Sequence, residues 1–384
     1  MTTIAPALFD FTDEHHALRD MLRHWFAQAA TDDDPPIAWQ RLCGEAGIGE
    51  LLFGGADGQP PGTPIDLAIL AEESGAALYG GPVLSAAMTA ALAETTGDAG
   101  WPAASALRTG HERPAAATAL LGGPDVGALP GMDAAQRVSG RVEPIWDAAG
   151  ASLLLCTAVV DSTVPGAADS ASRTAVVVLC AGTGDVRLSA RQGLDLSRSV
   201  GAAECAGADT DCALHGAAGR EALAAMRARG RLVLAAEGLG VARCALDRTV
   251  EHARTRVQFG RTIGSFQAVK HRLADLAAQV ELTRSAVYGA AWGLTTSPEK
   301  HSTAIDLAVA SALAAEAAVT VTTAAVQLHG GMAITWEHWA HRYLRRARAV
   351  TALAGGAAWH RRRLAELLDS TDGDDLARGG GDEH

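Results

Sequence analysis

The sequence predicts an α+β fold with an N-terminal helical domain (residues 1–113), a central antiparallel β-barrel or sandwich (114–217) and a C-terminal four-helix bundle (218–369). Three observations lead there. The apolar spacing is helical at both ends of the chain and changes to short β-branched runs in the middle. Gly- and Pro-rich stretches fall between these segments. At 384 residues the chain is long enough to bury more than one core.

In the first region Thr12 is placed to cap a helix whose first turn carries Asp13 and Glu14, acids that suit a helix start. Leu18, Met21, Leu22, Trp25 and Phe26 then recur at i, i+3, i+4, i+7 and i+8, which gives one apolar face. Further helices are predicted over 39–46, 66–77 and 83–92, with a Gly/Pro-rich turn over 54–64.

The second region holds short runs rich in β-branched and apolar residues at 153–160, 174–180 and 186–188, parted by Gly, Pro, Asp and Ser. That is the pattern of strands and turns. After Gly219 the spacing is helical again. Leu273, Leu276, Val280 and Val287 make a near-heptad stripe, with Arg272, Asp275 and Glu281 on other faces. Ser297-Pro298-Glu299 predicts a helix start, and Gly330-Gly331 its stop. Long neighbours joined by short turns predict an antiparallel bundle. Residues 370–384, rich in Asp and Gly, are expected to be disordered.

Composition excludes some classes. A net charge of −12 argues against sequence-independent nucleic-acid binding, which needs clustered Lys and Arg. The basic group Arg342, Arg345, Arg346 and Arg348 reads as a solvated helix face. Cys43, Cys156, Cys180, Cys205, Cys212 and Cys244 have no metal-ligand spacing and read as reduced, buried thiols. The chain shows no leader pattern, and no unbroken apolar run reaches the roughly 18 residues that span a bilayer. The expectation is a cytoplasmic protein without membrane insertion.

The chemistry is carried by two segments. The first is Arg256-Val257-Gln258-Phe259-Gly260, continuing through Ile263-Gly264-Ser265-Phe266-Gln267 to Lys270-His271. The second is Gln327-Leu328-His329-Gly330-Gly331 at the end of a later helix. A guanidinium pairs with phosphate oxygens, amides orient a ligand, and glycines let backbone come close to it.

Both segments resemble the flavin-binding signature of the acyl-CoA dehydrogenase family. Ala71-Glu72-Glu73-Ser74-Gly75, the closing stretch 361–368 and the order of the three regions extend the resemblance over residues 8–368. It implies FAD held between subunits of a homo- or hetero-tetramer, with a neighbouring chain gripping the adenosine diphosphate half. Arg256, Gln258, Phe259, Gln267, Gln327, Gly330 and Gly331 then fall on cofactor-contact positions.

The family's reaction takes the α-proton of an acyl thioester, on coenzyme A or a carrier protein, with a carboxylate in an apolar pocket. Most members place that Glu where this chain has Ala354, in Leu353-Ala354-Gly355-Gly356. Others place it where this chain has Gly230, just before Arg231, which the resemblance puts at the substrate. Glu237 and Glu337 are the two candidate replacements, and His329 is a possible proton shuttle. The positions that would hold the flavin ring correspond to Gly123-Pro124-Asp125 and Pro144-Ile145-Trp146-Asp147; Pro144 replaces the family's usual Trp, and Trp146 its flavin-contacting Thr. These departures imply a degenerate subunit that works beside a second acyl-CoA dehydrogenase-like chain in lipid metabolism, on a bulky acid such as a sterol side chain. A stand-alone enzyme with altered chemistry and a catalytically silent partner stay open as alternatives.

Overall fold

The computed structural model describes residues 11–29, 35–96, 104–123, 128–162 and 173–379. Pro124 and Asp125 of the expected ring turn, and residues 380–384 of the expected tail, lie outside them.

The N-terminal layer contains α1 (Asp13–Ala29), α2 (Pro35–Gly44), α3 (Ile48–Phe53), α4 (Pro64–Ala76), α5 (Val83–Thr96) and α6 (Ala104–Arg108). The Thr12 hydroxyl accepts from the His15 N–H at 3.3 Å at the start of α1. At α4, Thr63 and Asp66 form a reciprocal capping box and Pro64 takes the first turn, where its missing N–H costs nothing. α5 is apolar on every side and its first ten residues are buried, so it lies inside the molecule rather than on it.

The central region is one eight-stranded sheet. Its strands are β1 (Pro114–Ala117), β2 (Gly131–Met132), β3 (Arg137–Trp146), β4 (Leu153–Val160), β5 (Thr174–Cys180), β6 (Val186–Gln192), β7 (Ser199–Asp209) and β8 (Cys212–Leu214). They run in the order β6-β7-β3-β1-β4-β5-β8, with β2 beside β3 and β4. Most pairings are antiparallel, as expected, while β4 pairs in parallel with both β1 and β2. β4 and β5 are buried on both faces. Leu153, Leu155, Val176 and Val178 join the helical core, while Leu154, Cys156, Val177 and Leu179 join a second core within the sheet. A two-residue side-chain period serves both cores at once.

The bundle is built from α7 (Gly216–Thr255), α8 (Gln267–Thr296), α9 (His301–His329), α10 (Ala340–Ala354) and α11 (Ala357–Gly379). Leu276, Val280 and Val287 of the predicted stripe are buried. The stretch His301–Ile334, α9 with the 3-10 turn after it, is long and apolar enough to cross a membrane by length and composition. Half of that stretch is buried against the rest of the bundle, as in a core helix. Its start differs from the expectation: Ser297 ends α8, and α9 begins only at His301, where the Thr303 hydroxyl donates to the Ser297 carbonyl at 2.8 Å. α11 is described as far as Gly379, within the stretch from residue 370 that the composition marks as disordered. Adding residues to an existing helix avoids the cost of nucleation.

Two glycines fix how α4 crosses α7. A Cβ on Gly75 would lie 2.3 Å from the Glu237 carbonyl oxygen, and one on Gly240 would lie 1.9 Å from that of Glu72. No larger residue fits at either position. This close crossing brings the Glu72-Glu73 pair into the helical core. Glu72 accepts from Arg19 at 2.8 Å, Arg243 at 2.9 Å, Arg284 at 3.1 Å and Tyr288 at 2.7 Å. Glu73 accepts from Arg19, Arg23 and Arg243. The Ala71–Gly75 stretch is therefore an electrostatic rivet between N-terminal layer and bundle.

Candidate flavin and substrate site

The first motif folds as a hairpin. β9 (Val257–Gln258) pairs with β10 (Arg261–Thr262), and Phe259-Gly260 forms the two-residue turn between them. Both turn residues have positive φ, 54° and 77°, as a type I′ turn requires. Gly adopts this freely, whereas a phenylalanine there stores strain. The Phe259 side chain gains little burial in return, being 92% exposed with only the edge of Phe266 beside it. Arg261 lies over the Phe266 ring at 4.0 Å and braces the hairpin from below.

α7 and α9 bring the two motifs together at their C-terminal ends. His252, in the last turn of α7, stacks on His329, the last residue of α9, with ring centroids 4.0 Å apart. His338 and Trp339 pack on His329 at 5.0 and 5.1 Å. His329 also bonds through Nδ1 to the Ala325 carbonyl at 2.8 Å. Burial lowers the basicity of all three imidazoles, with each other's proximity adding to this at His252 and His338. His329 is thus a packed residue that holds the two helix ends together.

Around this pin Arg256, Gln258, Gln267, Gln327, Gly330 and Gly331 are all exposed. Gln258 spends one amide N–H on the neighbouring Val257 carbonyl at 2.8 Å. Nothing lies within 4 Å of the space above Gly260, Gly330 or Gly331. Gly330 ends α9 with φ 64° and ψ −145°, a conformation open essentially to glycine.

The two base candidates fare differently. Glu237 is 1% exposed. It accepts from Arg198 at 3.2 and 2.9 Å and from Arg346 at 3.0 Å. Burial alone would favour its neutral form, but these two guanidiniums outweigh it and hold the carboxyl below its ordinary range. A carboxylate so stabilised is a poor base, so the catalytic expectation for Glu237 is replaced by a structural one. Glu337 is exposed, in the turn between the 3-10 segment Gly330–Ile334 and α10. It stands three residues before α10 begins.

Sequence reasoning missed the partners of Glu237. Arg346, expected on a solvated helix face, is 1% exposed. Besides Glu237 it bonds to Asp195, to Ser197 Oγ at 2.7 Å and to the Tyr79 carbonyl at 3.0 Å. Arg198 pairs with Asp147 at 3.3 Å and lies 5.3 Å from the Trp146 ring. Asp147 in turn accepts from the Ser85 hydroxyl at 2.7 Å. One buried cluster thereby ties α5, the sheet, α7 and α10. The lone acid in the apolar stretch of α7 was its only sequence signal. Arg342 and Arg348 are exposed as expected, while Arg345 lies over Trp336.

The two positions where the resemblance would place a base are closed. A Cβ on Gly230 would meet Leu121 Cδ2 at 2.6 Å and Met88 Sδ at 3.2 Å. Ala354 is buried beside a cavity of 30 Å³ lined also by Arg231, Leu234, Ala314 and His360. That volume is about one water molecule. On the ring side, a cleft of 340 Å³ lies between the sheet and α10, bordered by Pro144, Trp146, Arg191 and Leu353. Pro144 has no N–H to offer. Trp146 is fully buried, and its indole N–H, which lacks a partner among the described residues, is sealed from solvent.

Residues 218–368 match the model of the acyl-CoA dehydrogenase C-terminal domain. The mycobacterial acyl-CoA dehydrogenase FadE34, from Mycobacterium tuberculosis, is 32% identical over 94% of this chain. Residues 218–368 are thus an acyl-CoA dehydrogenase C-terminal domain, and the chain as a whole is similar to acyl-CoA dehydrogenases. The acyl-CoA dehydrogenase IpdE2 of Mycolicibacterium smegmatis is 45% identical over 35% of the chain. The alignments span 48% of FadE34 and 40% of IpdE2, so the chain matches less than half the length of each. The solved ChsE4–ChsE5 complex from Mycobacterium tuberculosis superposes with a TM-score of 0.79 at 27% identity, over 94% of this chain and 98% of that one. The acyl-CoA dehydrogenase fold thus extends through all three regions.

The thiol expectation holds for Cys43, Cys156 and Cys205, which are buried. Cys180 is exposed and donates to Asp211 at 3.0 Å, which corrects the reading for that residue.

Proposed function

We propose that this chain is the cofactor-lending subunit of an FAD-dependent acyl-thioester dehydrogenase that introduces an α,β double bond. The observation that carries the reading is the contrast between two half-sites. The candidate nucleotide half faces outward: Phe259 is held exposed on a strained turn, and Arg256, Gln258, Gln267, Gln327, Gly330 and Gly331 are exposed as well. Residues kept in a costly conformation with no burial in return point to a ligand or partner.

The fit to FAD divides in the same way. On the nucleotide side Arg256 would pair with diphosphate oxygens, Gln258, Gln267 and Gln327 would orient the adenosine end, and Phe259 would cover it. Gly330 and Gly331 would admit the backbone close to the phosphates. FAD, when bound, supplies the hydride acceptor for the desaturation. On the ring side the residues do not fit in the family's manner, because Pro144 and the sealed Trp146 offer no donor. No proton-transfer step is assigned to this chain: Ala354 and Gly230 occupy the base positions, and Glu237 is held ionised by Arg198 and Arg346.

A partner chain of the same fold, with its own ring site and base, would complete the enzyme. The complex of ChsE4 with ChsE5 among the similar structures supports such a pairing. Mixing the purified chain with an acyl-CoA dehydrogenase-like partner and measuring bound flavin and thioester-dependent dye reduction tests it. Flavin and turnover should arise in the mixture; their absence with every partner tried would defeat the proposal.

A further inference from the structure

A second cleft, of 560 Å³, opens between α7, the first turns of α9 and α11, and three arginines line it: Arg227, Arg231 and Arg363. Arg227 Nε donates to the Leu120 carbonyl at 2.9 Å, and Arg231 Nη2 to the Leu121 carbonyl at 3.2 Å. Both acceptors are neutral. Neither arginine has a carboxylate partner among the described residues. Among the described residues Glu366 is the one acid on the cleft wall, and it lies 3.0 Å from Arg363 on the exposed face of α11.

Three guanidiniums therefore face one carboxylate. Burial lowers the basicity of Arg227 and Arg231, and repulsion from neighbouring guanidiniums lowers it further, leaving Arg231 at about 10. A desolvated charge without a counter-charge is costly, and bound anions relieve that cost. The remaining N–H groups of each planar fork suit carboxylate or phosphate oxygens. The Trp359 indole, 5.9 Å from the Arg231 guanidinium, adds an apolar wall. The cleft is of small-molecule size, far above the roughly 30 Å³ of one water.

We infer that this cleft binds an organic oxyanion, a phosphate ester or a carboxylic acid, clamped by Arg227, Arg231 and Arg363 with its apolar body against Trp359. Arg231 alone was expected at the substrate; Arg227 and Arg363 are new to the site. The inference stands independently of how flavin is bound.

Calorimetric titration of the purified full chain in chloride buffer of constant ionic strength, with inorganic phosphate and with succinate, tests it. Saturable binding of at least one is expected, weakened about tenfold or more by Arg227→Met. A preference for phosphate would assign an ester, and a preference for succinate an acid. Because Arg227→Met removes a repelled charge, its unliganded melting temperature should hold or rise; a fall would make Arg227 a structural prop and overturn the reading. Arg363→Met, on the exposed face of α11, gives the same binding test in a fold left intact. No saturable binding of either anion, or binding unchanged in both variants, would also overturn it.

Discussion

The Arg198 guanidinium donates to both carboxylate oxygens of Glu237, at 3.2 and 2.9 Å, across the seam between sheet and α7. Glu237→Gln leaves Arg198 and Arg346 buried with less negative charge around them. Loss of one partner from a buried pair costs about 3–5 kcal/mol. Denaturant unfolding should show a loss of that size. A fully stable variant that had lost only turnover would instead restore Glu237 as the base.

Glu72 makes the fold sensitive to acid. Burial opposes its charge, but Arg19, Arg243 and Arg284 outweigh that and hold it at about 2, against an ordinary 4.5. A depressed carboxyl stabilises the fold above its unfolded value and loses that contribution as pH falls from about 4.5 through about 2, worth about 3 kcal/mol in all. Glu72→Gln should weaken the chain at pH 7 and flatten this part of the acid profile. A profile identical to that of the parent chain would remove Glu72 from the account.

Placing a base at the second family position should fail. Gly230→Glu would push a carboxylate into Leu121 and Met88. Overpacking and burial of an unpaired charge together cost about 3 kcal/mol or more. The check is a thermal melt, where an unchanged midpoint would mean that the space near Gly230 opens readily.

The parts of the fold that depend on local pattern were legible in the sequence. Leu153–Val160 and Thr174–Cys180 appear as strands over those same residues, because β-branched runs between turn residues have few other outcomes. Gly330 stops α9 as expected, since only glycine suits its backbone angles. Parallel pairing of β4 was not legible, because register between distant strands leaves no local trace. Ser297-Pro298-Glu299 misled for a similar reason: capping residues can end one helix as readily as start another. At the site, motif spacing led to Arg256, Phe259 and Gln327. It gave no hint that Arg346, in a run of arginines, is buried against acids 109 and 151 positions away.

Phe259→Ala should separate binding from folding. An exposed side chain contributes little to stability, so the variant's unfolding free energy should stay within about 0.5 kcal/mol. Flavin retention in the complex with a partner chain should fall. A variant that unfolds early but keeps its flavin would reverse the roles assigned to this turn.

The most direct test is the flavin stoichiometry of this chain alone and in complex with an acyl-CoA dehydrogenase-like partner, read from visible absorbance. The account predicts a colourless isolated chain, one flavin for each pair of unlike chains in the complex, and loss of that flavin with Arg256→Ala. An isolated chain that holds one flavin per copy and oxidises an acyl thioester would contradict it.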